Sequence, residues 1–281
     1  LHDLRDGVLR AASPSAFFDD PVRVLRLVRL AGLLGFAVAP ETESLAHEAV
    51  PMLGRASMER RRDEWLQILN LEQCAPSVGL ALERFGLAES LLPGRVAGFD
   101  LERGLDVLAR LEDLEAQWAP GYAGERAVPW DALGPLLAGR WRESLTAGRP
   151  RRALVRLAAL LVPRPGAPGA EPPALQEASE RVGEAGRALR LSGREVGLLR
   201  RVVRGAHLIV AEDTPQPLGI YRYYRACGED GIEGLVLAMA SADPEARAQV
   251  VPRALAYLKA WFYEHDSLVD PPRLISGSDV T

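Results

Sequence analysis

The chain has 281 residues, 48% of them hydrophobic, and a formal net charge of −4. That composition can fill a sizeable core, in one large domain or two or three smaller ones, and it excludes a protein that holds nucleic acid by bulk positive charge. Two widely spaced cysteines, Cys74 and Cys227, exclude a disulfide framework and fit a reducing cytoplasm, and no apolar run reaches the ~18 residues of a membrane span.

Residues 1–12 read as a turn and a short strand. The first helix is predicted over 21–34. Asp20 suits its N-cap, Pro21 its first position and Gly35 its stop. Within it Arg23, Arg26 and Arg29 recur every third residue on an otherwise apolar helix. Helices follow over 41–50 and 57–70, with Phe36 to Pro40 as linker and Thr42 and Ser44 as caps. In 57–70, Met58, Trp65, Leu66 and Leu69 form an apolar stripe, while Glu59, Arg61 and Asp63 face elsewhere. Further helices are predicted from Pro76 to Phe85, Leu101 to Trp118 and Arg151 to Val162. A Pro/Gly break lies at 91–94 and a loop runs from Pro120 to Pro129. The Pro-rich stretch 163–173 is the clearest linker. Beyond it, helices are expected at 174–190, 193–210, 217–227, 229–241, 243–250 and 252–264, with Ser192-Gly193-Arg194-Glu195 as a capped start. No strand pattern is visible after residue 12, so the predicted class is all-α.

Three motifs carry a resemblance. Asp19-Asp20-Pro21-Val22-Arg23-Val24-Leu25-Arg26-Leu27-Val28-Arg29, with Leu33 to Phe36 and Glu41-Thr42 after it, resembles the (E/D)DPxRxLRxxR…GF signature of class II tRNA nucleotidyltransferases and bacterial poly(A) polymerases. Upstream, Asp3 to Arg10 is similar to the DLxxGxLR segment that closes the family's catalytic head. Downstream, Ser57 to Glu64 resembles its ERxxxE motif. The three stand in the family's order.

The resemblance implies an organisation. Residues 1–12 would end an α/β head, 13–72 would be a neck of nucleotide-base and RNA-binding helices, 73–165 a helical body, and 166–281 a degenerate HD-like tail. The head's Gly-Gly turn, DxD metal pair and RRDxxxN segment would lie before Leu1, so the chain is expected to be a fragment, inactive alone, with no catalytic residue of its own. The full-length enzyme would use Mg²⁺ with ATP or CTP to add CMP and AMP to tRNA 3′ ends in the cytoplasm. Alternatives are a poly(A) polymerase, a stand-alone helical RNA-binding protein and, less well supported, an HD-type phosphohydrolase.

Site residues follow from the same match. Asp20 and Arg23 would template the incoming base, with Asp19 and Arg26 beside them. A carboxylate only accepts hydrogen bonds and a guanidinium only donates. Cytosine and adenine offer an amine beside a ring-nitrogen acceptor, whereas uracil and guanine put a carbonyl where the amine would be. The residue-level alternative is that Asp20 caps the helix and Arg23 pairs with Asp19. Arg60 and Glu64, at i, i+4, would brace the neck or form a surface pair. Arg61, Arg62, Arg151 and Arg152 are candidate RNA-phosphate contacts, with solvated surface as the plainer reading of Arg61 and Arg62. No metal site is expected. Val162-Pro163 stands where an HD domain's His-Asp would be, and His2, His47, His207 and His265 are scattered, with His207 read as packed or surface. Residues 271–280 resemble the PPxLxGxDLM segment that opens the family's last element.

Overall fold

The computed structural model describes residues 2–92, 96–119, 121, 122, 124, 128–130, 132–146, 148–163, 172–211 and 215–272. The break at 91–94, the 120–129 loop, the 163–173 linker and the 271–280 segment fall partly or mostly outside these residues. The fold is all-α, as the composition and periodicity predict.

The N-terminal part differs from the expected turn and strand. Helix α1 (His2–Asp6) is closed by Gly7 at φ 65°, and strand β1 (Val8–Leu9) follows. Helices α2 (Ala16–Asp19) and α3 (Arg23–Leu34) come next. Asp20 between them is extended, at φ −145° and ψ 95°, and Pro21-Val22 form a turn, so α3 begins two residues later than expected. Gly35 closes α3 in the left-handed region, at φ 65°, donating its N–H to the Ala31 carbonyl. The expected linker carries strand β2 (Ala37–Val38), which pairs in parallel with β1. Two-residue strands are too short for an alternating pattern to show in sequence.

Helix α4 (Pro40–Ala49) starts on its proline. Thr42 does not cap it: its Oγ1 accepts the Ala11 N–H at 2.8 Å, and Ser44 Oγ donates back to the Pro40 carbonyl. Helix α5 (Met58–Leu69) is capped by Ser57 and buries Trp65, Leu66, Ile68 and Leu69. Helix α6 (Ala75–Gly79) runs into a single π-turn over Leu80–Arg84, followed by α7 (Ala88–Leu91) and α8 (Leu101–Ala116). Helix α9 (Leu133–Arg142) and the hairpin of β3 (Ser144–Thr146) and β4 (Arg149–Pro150) were not expected. Helices α10 (Arg151–Leu161), α11 (Pro172–Ala188), α12 (Gly193–Ala211), α13 (Pro217–Cys227) and α14 (Gly231–Ser241) follow. Helix α15 (Pro244–Tyr263) runs unbroken through Pro252, where two helices were expected. Proline removes one helical hydrogen bond and crowds the preceding turn, but packing along a long helix can offset that.

Every residue of α14 is buried, which makes it the axis of the C-terminal half, with α12, α15 and α8 packed around it. Helix α10 packs between α8 and α5 and so joins the two halves. Its approach to α8 is close because Gly104 faces the Leu160 backbone with no side chain between. Helix α3 lies across α5, and their facing residues form the site.

Candidate nucleotide-base and RNA site

Asp20 sits at the mouth of the α3–α5 crossing. Its Oδ2 accepts a hydrogen bond from Arg60 Nη2 at 2.7 Å, forty residues away on α5. Its Oδ1 is buried and has no hydrogen-bond partner. The Arg60 hydrogen bond holds the Asp20 carboxyl below its ordinary pKa, against the opposing effect of partial burial. Asp20 is therefore oriented by Arg60, and α3 carries no side-chain cap hydrogen bond at its N-cap, Val22. Arg23 does not pair with Asp19. Its Nη1 donates to the Ala16 carbonyl at 3.0 Å, and the side chain is otherwise exposed. Asp19 accepts from Ser15 Oγ at 2.9 Å.

Glu64 and Arg60 do not form an i, i+4 pair with each other. Glu64 is buried between two arginines of α3, with Arg26 Nε at 3.1 Å from Oε1 and Arg29 Nε at 2.8 Å from Oε2. Three ion pairs, Arg60 to Asp20 in one direction and Arg26 and Arg29 to Glu64 in the other, thus lock the start of α3 and α3 itself against α5. Arg26, grouped by sequence with the base site, has its Nε on this lock. Arg29 was visible as part of the every-third-residue ribbon, yet its acidic partner lies 35 residues on.

The four arginines read as RNA contacts are placed differently. Arg61 is buried and donates Nη1 to the Ser90 carbonyl at 2.5 Å. Arg62 is buried too, with Nη1 on the Arg190 carbonyl and Nε on Asp63. Arg151 is only 3% exposed and donates to Asp230, Glu233 and Glu229. Arg152 is half-buried and holds the side chain and main-chain oxygens of Asn70. None presents a free guanidinium face to a phosphate. A run of arginines reads as surface because Arg is seldom buried unless paired; here each finds a carbonyl or carboxylate distant in sequence.

Sequence reasoning missed Arg156, which is 1% exposed in the middle of α10. It donates to the Leu69, Leu71 and Glu72 carbonyls and to both oxygens of Glu115. With Arg152 it closes the C-terminal end of α5, where helix carbonyls lack internal donors. A charged residue inside an apolar helix was the only signal for it.

His207 is buried, its Nε2 lies 3.3 Å from the Pro163 carbonyl, and burial lowers its pKa. Among the described residues no group of three or more His, Cys, Asp and Glu side chains could hold a metal ion. Asp19 and Asp20 do not fit a metal pair: Ser15 engages one, Arg60 the other, and arginines surround them.

Residues 35–97 match a family model described as the probable RNA and SrmB-binding site of polymerase A. A CC-adding tRNA nucleotidyltransferase of Geobacter sulfurreducens is 33% identical over 165 residues, which are 57% of this chain and 34% of that protein. These matches support a tRNA nucleotidyltransferase family fragment. The chain spans about a third of the length of that curated relative. Among solved structures, a CCA-adding enzyme in complex with CTP aligns with 99% of this chain and 57% of its own, at TM-score 0.62 and 18% identity. A tRNA nucleotidyltransferase complexed with a primer tRNA and an incoming ATP analog aligns with 92% of this chain and 63% of its own, at TM-score 0.59 and 19% identity. At that identity the likeness shows a shared fold alone.

Proposed function

We propose that this chain selects the incoming base and supports the RNA in a tRNA nucleotidyltransferase that adds CMP and AMP to tRNA 3′ ends. The observation that carries this reading is the Asp20 carboxylate, with Oδ2 fixed by Arg60 and Oδ1 buried without a partner, three residues before an exposed Arg23. Asp20 Oδ1 accepts the base amine, and Arg23, with N–H groups to spare beyond the one on Ala16, donates to the neighbouring ring nitrogen. Uracil and guanine bring a carbonyl to Asp20 instead, and a buried unpaired acceptor costs ~1–3 kcal/mol. The CC-adding relative and the structural neighbours bound to CTP, or to primer tRNA with an ATP analog, support the same substrates.

The division into neck 13–72, body 73–165 and tail 166–281 belongs to this reading. It is supported by Arg152 and Arg156, which reach from α10 to the end of α5. Mg²⁺ accompanies the nucleoside triphosphate in the proposed reaction, but no step through it is assigned to this chain, whose acids here are engaged by Ser15 and arginines. A cytoplasmic location accords with two buried free thiols, and no described helix is long and apolar enough to cross a membrane.

The test is nucleotide titration of the isotope-labelled chain, followed at the Asp20 and Arg23 amides. ATP and CTP should bind about ten- to a hundredfold more tightly than UTP and GTP, the equivalent of ~1–3 kcal/mol. Asp20→Ala should erase that ratio. An equal loss for all four nucleotides would show that Asp20 only supports the backbone.

A further inference from the structure

A second polar cavity lies away from the α3–α5 crossing, between α8, the end of α14 and the first half of α15. Its volume is about 680 Å³. Pockets of a few hundred to about a thousand Å³ are the size that holds a small organic ligand. Leu114 and Met239 give it an apolar floor, and both are buried. Arg110, Asp113, Gln117, Tyr122 and Arg247 bring polar groups to its wall. Gln117, 5% exposed, donates Nε2 to the Asp113 carbonyl at 3.1 Å and leaves Oε1 buried without a partner. Arg247 leaves Nε buried without a partner as well. Arg110 uses Nε on the Asp106 carbonyl and Nη1 on the Ala242 carbonyl, which holds its guanidinium at the wall with Nη2 to spare.

A further feature comes from the main chain. Pro252 sits inside α15 and has no N–H, so the Ala248 carbonyl, four residues before it, loses its helical donor. Ala248 and Pro252 both line this cavity. One pocket therefore offers a buried acceptor without a donor, Gln117 Oε1, a main-chain carbonyl at Ala248 that Pro252 cannot serve, and two guanidinium groups. Buried polar groups without partners cost free energy, and a ligand that pairs with them recovers it. The complementary molecule has a flat apolar body, an amine and an anionic group.

We propose that this cavity holds a nucleotide whose base carries an exocyclic amine, adenine being the probe, with its phosphate on Arg110 and Arg247 and its amine facing Gln117 and Ala248. The nucleotide comes either from solution or from an RNA strand lying over the α8–α15 groove; the chemistry at the pocket is the same. The proposal does not depend on the reading of Asp20.

The experiment is calorimetric titration of the 281-residue chain bearing Asp20→Ala, which removes the other base site from the measurement. AMP should bind one site. Inosine monophosphate, with a carbonyl in place of the amine, should bind at least tenfold more weakly, and inorganic phosphate more weakly still. Arg247→Gln should weaken AMP at least tenfold while leaving adenosine unaffected. Ala248→Phe, on an exposed helix surface, should fill the groove and abolish binding with an unchanged circular dichroism spectrum. A trinucleotide, ApApA, that binds more tightly than AMP and loses the gain in Ala248→Phe identifies a strand as the source, and tighter AMP identifies free nucleotide. Equal affinity for AMP and inosine monophosphate, retention of AMP by Ala248→Phe, or no binding at millimolar AMP would overturn the proposal.

Discussion

Arg156→Leu tests how the end of α5 is held. All five N–H groups of this buried guanidinium are placed: Nε and one Nη2 hydrogen on Glu115, two Nη1 hydrogens on the Leu69 and Leu71 carbonyls, and the second Nη2 hydrogen on Glu72. Leucine fills much of the space but donates nothing. Three carbonyls at and just beyond the end of α5 lose their donor, and Glu115, itself largely enclosed, keeps only the Trp141 Nε1 bond at 3.0 Å. Removing one partner of a buried pair costs ~3–5 kcal/mol, because the remaining charge is left uncompensated. Adding Glu115→Gln removes that charge, so the double variant should recover ~1–2 kcal/mol of the loss. Urea unfolding read by tryptophan fluorescence and by circular dichroism gives the free energies where the two transitions coincide. A loss under ~1 kcal/mol for Arg156→Leu, or no recovery in the double variant, would refute the account. Since α5 also carries Arg60 and Glu64, the single variant should weaken nucleotide selection as well.

Two further outcomes follow. Asp20 has a folded-state pKa below its ordinary value, so its contribution is present above that ordinary value and is lost as pH falls through the folded pKa. Acid titration of the wild-type chain should therefore show a stability loss below the usual aspartate range that Arg60→Ala lacks; parallel acid profiles would exclude the pairing. Gly104→Ala would drive a Cβ into the Leu160 carbonyl, main chain that cannot move aside without shifting α10 from α8. It should cost at least ~1–3 kcal/mol in the same urea assay, and a neutral effect would show that the two helices adjust freely.

The helices were legible where local rules suffice. Ser192 and Glu195 close a reciprocal cap, Ser192 N to Glu195 Oε2 at 2.7 Å and Glu195 N to Ser192 Oγ at 3.3 Å, as their spacing implies. Gly35 ends α3 in the conformation glycine favours. The unbroken α15 was not legible, because a proline's local penalty is visible in sequence and the packing that offsets it is not. The residue types of the base site were readable from Asp20 and Arg23, but not the Arg60 bond that orients the carboxylate. The buried roles of Arg61, Arg62 and Arg151 were hidden for the same reason: their partners at Ser90, Arg190 and Asp230 lie 29, 128 and 79 residues away, and only the completed fold brings them near.

Those distant partners bear on where the chain can be cut. The stretch matched by the polymerase RNA-binding family model, 35–97, contains α5 but neither α3 before it nor α10 after it. Isolated, it would present Glu64 without Arg26 and Arg29, and the last carbonyls of α5 without Arg152 and Arg156. A stretch that matches as one module is thus not an autonomous folding unit here. Long-range contacts tie α5 to chain synthesised about a hundred residues later, so α5 cannot reach its final surroundings on a growing polypeptide until α10 and the Arg190 turn have emerged.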